Sequence, residues 1–376
     1  MKTAVLALLL AVAAQAQSPI SGLWVGTAQR NGHSTPLSLD LTQSGAEVQA
    51  RFHNGPQSSV AYSGTFADDR LQLSFDDFAN QLTATLSGEV LTGTFGGHAR
   101  PAAVRLVHVP DISGEWEIPV QGPKGESEWR LEVSQSGVEV SAVIQRIDGD
   151  TGALYGAFND ADAAFHLSHF TADGPRDLVL RPLPGGALQV GPRAAHRPIA
   201  ADSASADDPL RHTVMSDPAQ PLRFAFPDLH GKLVSSTDAR FHGKVVIVTV
   251  GGSWCPNCHD EAPFLESLYR KYHARGLEIV DLSFEEASEL ANPVRLRAFI
   301  RRSGITFPVL LAGTPDQLAA KLPQVANLNC WPTTFYIGRD GLVKQIHAGF
   351  SGPATGPLHA ALLTESDALV RRLLAR

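Results

Sequence analysis

An internal repeat is the strongest constraint on what this chain can fold into. The segment "ISGLW" at 20–24 returns as "ISGEW" at 112–116, and "LDLTQSGAEVQA" at 39–50 returns as "LEVSQSGVEVSA" at 131–142. Both pairs are offset by 92 residues with no gap, and Gly64/Gly156, Phe66/Phe158 and Phe78/Phe170 keep the same register. A fixed period marks tandem copies of one structural unit, here at 17–108 and 109–200. Inside each copy, short runs such as "LSLDLTQ", "EVQARF" and "LQLSF" alternate apolar and polar residues, separated by Gly, Asn, Asp and Ser. That pattern predicts half-buried antiparallel strands in a meander, closed as a barrel or packed as a sandwich. Whether the copies close separately or together stays open in the sequence.

The length of 376 residues allows more than these two copies. Residues 1–16 combine Lys2, the apolar run "TAVLALLLAVA" and "AQA" at 14–16, the form of a secretory signal peptide cut after Ala16. No later stretch is long and apolar enough to be expected to span a bilayer. The mature chain is therefore expected to be periplasmic or secreted, with no stable membrane span. With only three cysteines it is not a disulfide-stapled scaffold, although its expected compartment permits disulfides. A net charge of −7 with no basic run argues against a nucleic-acid partner. Residues 201–222, rich in Ala, Ser, Asp and Pro, read as a linker.

From 223 to 376 the pattern changes. A hairpin-like "FAFPDLHGKLVS" (224–235) precedes "KVVIVTV" (244–250), a β-branched run suited to a strand buried on both faces. Strands are predicted at 277–284, 307–312, 333–338 and 342–350, and helices at 256–275, 293–303, 315–322 and the C-terminus. Alternating strands and helices imply an α/β sheet with helices on both faces. The whole is thus a multidomain chain, an all-β tandem repeat followed by an α/β domain.

The chemistry concentrates in "GGSWCPNCHDEAPF" (251–264), where Cys255 and Cys258 are three apart. Cys255 is expected at a strand-to-helix turn with Pro256 in the first helical position, where proline is well tolerated. First-turn N–H groups and the helix dipole would favour its thiolate. Cys258, one turn on, would lie deeper on the same face and resolve a mixed disulfide formed by an exposed Cys255.

Together with the helix proline Pro263 and the downstream "WPTTFYIGRDG" (331–341), Trp254-Cys255-Pro256-Asn257-Cys258 resembles thioredoxin-like proteins of the TlpA/ResA type. The β-repeats and signal segment ahead of it extend the resemblance to TlpA disulfide reductase family proteins. The resemblance covers about 223–376 and implies a thioredoxin-like fold and thiol–disulfide exchange without a cofactor. It also implies a cis peptide bond at Pro332 against the dithiol, and a buried Glu261 able to exchange a proton with a thiol. Trp254 would pack beside the sulfurs. The implied direction is reductive, with client protein disulfides such as those of cytochrome c apoproteins or metal-site proteins, and an upstream dithiol as electron donor.

Alternative chemistries share these residues. His259 completes a Cys-x-x-Cys-His haem-attachment signal, but the only methionine after Met1 is Met215, in the linker, and a βαβ unit is not a haem pocket. His259 then reads as a helix-surface residue. A zinc or copper site at Cys255, Cys258 and a histidine lacks a second Cys-x-x-Cys, so no metal is assigned. A thiol peroxidase would need a hydroxyl three residues before the cysteine, where Gly252 stands. Cys330 reads as a small buried residue or as a third redox thiol near Pro332. Glu285 and Glu286, at a strand C-terminus, either line the partner groove or start a solvated helix. The β-repeats, which carry no catalytic set, could instead be a client-binding or small-ligand module.

Overall fold

The computed structural model describes residues 20–55, 57–97, 101–198 and 208–376. The signal segment 1–16 and the start of the expected linker, 201–207, lie outside these. The chain divides into two compact units, Met1–Asp111 with Phe158–Ala164, and Ile112–Ala157 with Phe165–Arg376.

The first unit is a barrel. Its strands Gly22–Arg30, His33–Ser44, Glu47–Asn54, Tyr62–Ala67, Arg70–Phe75, Asn80–Ser87, Val90–Gly96 and Ala102–Val109 each pair antiparallel with the next. The last returns to the first through a continuous ladder from Leu23↔Val109 to Gln29↔Ala103. Full closure leaves the sheet no open edge. The alternation read from the sequence is the in/out pattern of these strands: Leu39, Leu41, Val48, Ala50, Leu71, Leu73, Leu82 and Ala84 point into one core with the fully buried Trp24.

The second repeat has the same topology, from Gly114–Pro119 to Arg193–Ala195. It closes on itself through Glu117 and His196, whose backbones exchange hydrogen bonds of 2.8 and 3.0 Å. So the copies close separately. The 92-residue offset holds at the level of pairing: Trp24↔Leu39 becomes Trp116↔Leu131, and Leu39↔Phe52 becomes Leu131↔Ile144. Each tryptophan donates its indole N–H to the carbonyl four residues back, Ile20 at 2.9 Å and Ile112 at 2.8 Å. Gly64 and Gly156 are glycines for one shared reason. A Cβ there would come within 2.2 Å of Gln72 O and 1.8 Å of His166 O on the neighbouring strand.

The C-terminal part carries a five-stranded sheet. We label its strands β1 (Val245–Gly251), β2 (Leu277–Phe284), β3 (Val309–Gly313), β4 (Thr333–Ile337) and β5 (Val343–Ala348). The order is β3-β2-β1-β4-β5, parallel through β1–β3 and antiparallel at β4 and β5. The longer helices are α1 (Pro256–Tyr272), α2 (Val294–Ser303) and α3 (Pro357–Leu374). This is the thioredoxin-like arrangement. The unbroken apolar run of β1 is explained by burial on both faces: Val245 and Ile247 join one core, Val246, Val248 and Val250 the other.

One expectation is met unevenly and one needs correction. Helices lie on both faces, but the three long ones share one of them. All three contribute to the Val245/Ile247 core, while the opposite core is covered by the hairpin Ala225–Pro227/Leu233–Ser235 and by Leu318 and Leu322 of the short 315–322 segment. The linker also ends early. Asp208 caps a four-residue helix led by Pro209, Val214–Met215 pairs with Val325–Ala326, and Met215 and Leu222 are core residues. Asp before Pro serves here as a cap and first helical residue rather than as a spacer.

Candidate functional site: a buried dithiol

The site forms where β1 ends. Cys255 is the N-cap of α1, at φ −94° and ψ 117°, with Pro256 at the first helical position. Its sulfur accepts from the Cys258 N–H at 3.4 Å and faces the Trp331 carbonyl at 3.5 Å. The Trp331–Pro332 peptide bond is cis. Trp254 donates its indole N–H to Phe284 O at 2.9 Å and sets its ring edge-on to Trp331, 5.3 Å between centroids. Cys255, Cys258, Trp254 and the Pro332 loop therefore share one corner. All three cysteines are free thiols here.

The expected exposed Cys255 is not found. Cys255 is 3% exposed and Cys258 5%. The second barrel reaches the same corner. Its loop Ile147–Asp150 lies on the dithiol face: Asn257 donates to Asp148 O at 2.8 Å, Gly149 bridges Phe350, and the Asp150 carboxylate accepts from Gly352 N at 2.6 Å. Gly149 and Gly349 make this approach possible. A Cβ on Gly149 would stand 2.3 Å from Asn257 Nδ2, and one on Gly349 2.3 Å from Ile147 O. Cys330 is fully buried in a small cluster with Ile147 and Ala348, and burial pushes its thiol up to about 12.

Glu261 projects from α1 onto the sheet and is 5% exposed. Below it, Thr334, Thr249 and Asp281 stand side by side on β4, β1 and β2. The carboxylate accepts from Thr249 Oγ1 at 2.9 Å and Thr334 Oγ1 at 2.5 Å. Burial raises Glu261 to about 7, against which these two hydroxyl bonds work. Burial likewise raises Cys258, reinforced by its neighbour Cys255 and by Glu261. Asp281 was not singled out in the sequence. It is 6% exposed, burial and the nearby Glu261 and Glu285 raise it, and its Oδ1 has no hydrogen-bond partner among the described residues. An aspartate inside the apolar run "LEIVDLSF" was the available signal. A cavity of about 10 Å³ bordered by Cys258, Glu261 and Asp281 is near the minimum space for one water.

Glu285 neither lines a groove nor begins a solvated helix. It is completely buried and clamps the turn before the dithiol, accepting from Ser253 N (2.6 Å), Ser253 Oγ (2.7 Å), Ser283 Oγ (2.8 Å) and Arg295 Nη2 (3.1 Å). Glu286, exposed, begins the short helix Ala287–Ala291 and meets Arg295 at 3.2 Å. His259 is half-buried rather than on the helix surface. Its Nε2 lies 2.9 Å from Ser253 O and its ring 4.6 Å from Phe299. Among the described residues no three His, Cys, Asp or Glu side chains gather as a metal-binding set.

The AhpC/TSA family model matches residues 216–346. Thiol-disulfide oxidoreductase ResA of Bacillus anthracis is 32% identical over 124 residues, 33% of this chain and 65% of that protein. ResA of Geobacillus kaustophilus is 33% identical over 126 residues, 34% of this chain and 66% of that protein. The chain thus spans about 65% of the length of the first of these relatives, just under two thirds. Among solved structures, StoA from Bacillus subtilis aligns with 40% of this chain and 99% of its own, at 21% identity and TM-score 0.29. A thioredoxin family thiol:disulfide interchange protein from Chlorobium tepidum TLS aligns with 42% and 97%, at 23% identity and TM-score 0.32.

Proposed function

We propose that this chain is a thiol–disulfide oxidoreductase that reduces disulfides of client proteins. The observation that carries the reading is Cys255 as helix cap, its sulfur beside the Cys258 N–H and the cis Pro332 loop. In the reaction, the Cys255 thiolate attacks one sulfur of the client disulfide. A Cys255–client disulfide forms, and the other client sulfur leaves as thiolate and takes a proton. Cys258 then gives up its proton, attacks Cys255 sulfur and releases the second client thiol. The client gains two electrons, and the chain ends with a Cys255–Cys258 disulfide. A dithiol donor of another protein returns it to the reduced state.

Glu261 is the proton acceptor for Cys258 in this scheme, since a carboxyl titrating near 7 can both take and return a proton at neutral pH. Pro332 and Trp254 shape the approach to Cys255. Cys330 receives no role, because a fully buried thiol raised to about 12 supplies little thiolate. A peroxidase reading lacks its hydroxyl: a side chain at Gly252 would begin 2.4 Å from Trp254 Nε1. The Lys2-to-Ala16 pattern supports a periplasmic or secreted location. Among the described residues no helix is long and apolar enough to cross a membrane.

Insulin reduction with dithiothreitol as donor tests the assignment. The intact chain accelerates it, Cys255→Ser abolishes the acceleration, and Cys258→Ser accumulates a mixed disulfide visible by mass spectrometry. Full activity in Cys255→Ser would overturn the reading.

A further inference from the structure

The duplication supplies a control for reading the barrel interiors. An eight-stranded barrel has a lumen that side chains can just fill, or that can hold one small ligand. In the first barrel it is filled with rings. Phe52 lies 5.4 Å from Phe75, 6.1 Å from Tyr62 and 6.4 Å from Phe95, centroid to centroid. At the position paired as Phe52 is, the second barrel has Ile144, and at that of Tyr62 it has Leu154. Further along the register shifts by two, since Gly156 faces Leu167 as Gly64 faces Leu73, and His169 stands where Phe75 does. Where Ile144 takes the place of Phe52, a half-open cavity of about 300 Å³ lies at one end of the second lumen.

The cavity walls come from opposite sides of the barrel: Ile118, Trp129 and Ile144 on three adjacent strands, Leu178 and Val190 across from them. Ile118 pairs directly with Trp129, and Leu131, two residues on from Trp129, pairs with Ile144, so these side chains share the inner face. The volume and apolar wall meet the ordinary description of a small-molecule site, which adds a few placed polar groups. Arg193 is that group. It borders the cavity with its guanidinium 4.7 Å from the Trp129 ring centroid. Among the described residues it has no carboxylate within ion-pair distance. Arg146 approaches the same ring at 5.7 Å but already meets Asp148 at 3.7 Å. Asp177, also on the border, would repel an anion placed on its side of the mouth.

We propose that the open end of the second barrel binds a small amphiphile, an apolar body in the lumen with a carboxylate on Arg193. A guanidinium held against an indole keeps its planar fork oriented, which suits it to pair with a planar anion. This site is independent of the dithiol assignment and stands or falls without it.

Isothermal titration of the full chain with decanoate tests the proposal, run in parallel on Cys255→Ser. Decanoate binds saturably at one per chain, equally in both, and quenches indole fluorescence unless Trp129 is changed to phenylalanine. Ile144→Phe, which restores the ring found at Phe52, weakens binding by tenfold or more. Arg193→Gln, an exposed position, weakens decanoate about tenfold and leaves decanol unchanged. Should Ile144→Phe lose the wild-type circular dichroism spectrum, Val190→Phe replaces it. Absence of saturable decanoate binding overturns the proposal, as does binding indifferent to both substitutions. Equal affinity for decanol or decyltrimethylammonium overturns the assignment of a carboxylate to Arg193.

Discussion

The first barrel is sealed along its seam by the ladder from Leu23↔Val109 to Gln29↔Ala103, whereas the second closes through a single backbone bridge, Glu117 with His196, beside Arg197 bonds to Ser113 O and Glu115 O. The first packs rings around Phe52, where the second has Ile144 on the border of a cavity. Yet both keep the same strand pairing, the same capped tryptophan and the same tight glycine. The contrast teaches that pairing and the central core conserve the barrel, while lumen ends and loops are free to change. The second copy uses that freedom twice within its own unit, for a cavity at one end and for the loop Ile147–Asp150 that bonds Asn257, next to the dithiol, and Gly352.

The largest effect belongs to the filled lumen. Phe75→Ala is expected to cost the first unit about 3–5 kcal/mol, and Leu167→Ala the second barrel about 2 kcal/mol, the low end for a core truncation. Guanidinium unfolding measures both, and equal losses would break the contrast. Next comes a pH effect confined to the second unit. Glu261 has its carboxyl raised in the folded state, so the fold binds that proton more tightly than the unfolded chain. Stability is therefore fully present below about 4.5 and is lost as pH rises through about 7. Glu261→Gln removes the loss, so its stability relative to the parent grows by about 3 kcal/mol between pH 4 and pH 8. A pH-independent difference would show that Glu261 titrates normally.

A smaller effect follows from the loop. Asp150→Ala leaves the Gly352 N–H without its acceptor and costs about 1–3 kcal/mol. It is also expected to speed alkylation of Cys255 by iodoacetamide, because the loop Ile147–Asp150 then holds less firmly over the sulfur. An unchanged alkylation rate would mean the loop is not what shields Cys255. The smallest effect is the ring swap. Ile144→Phe adds volume where a cavity exists and is expected to change stability by less than about 1.5 kcal/mol. The reverse substitution, Phe52→Ile, opens a gap and costs more. Comparable losses for the two would mean the second lumen is already full.

Much of this was legible in order along the chain. The alternating runs gave the barrel strands, and the unbroken β-branched run gave β1. Cys-Pro-x-Cys at a strand end gave a capped helix, because proline at the first turn and sulfur at the cap are local requirements. Glu261 was legible only through resemblance, since nothing local distinguishes a buried helix glutamate from a solvated one. Asp281 was passed over, and Glu285 and the ordered 208–222 segment were read differently, for a common reason. Each is defined by partners far away in sequence: Thr249 and Glu261, Ser253 and Arg295, Val325 and Asn327.

Period, alternation and cysteine spacing settle in this sequence that two copies of a β meander precede a dithiol helix, because strand pairing and helix capping act over a few residues. The tertiary structure alone decides that Cys255 is covered, that Glu261 titrates near 7 and that one lumen is hollow. Burial depends on what packs from outside the local segment, and no local pattern records it.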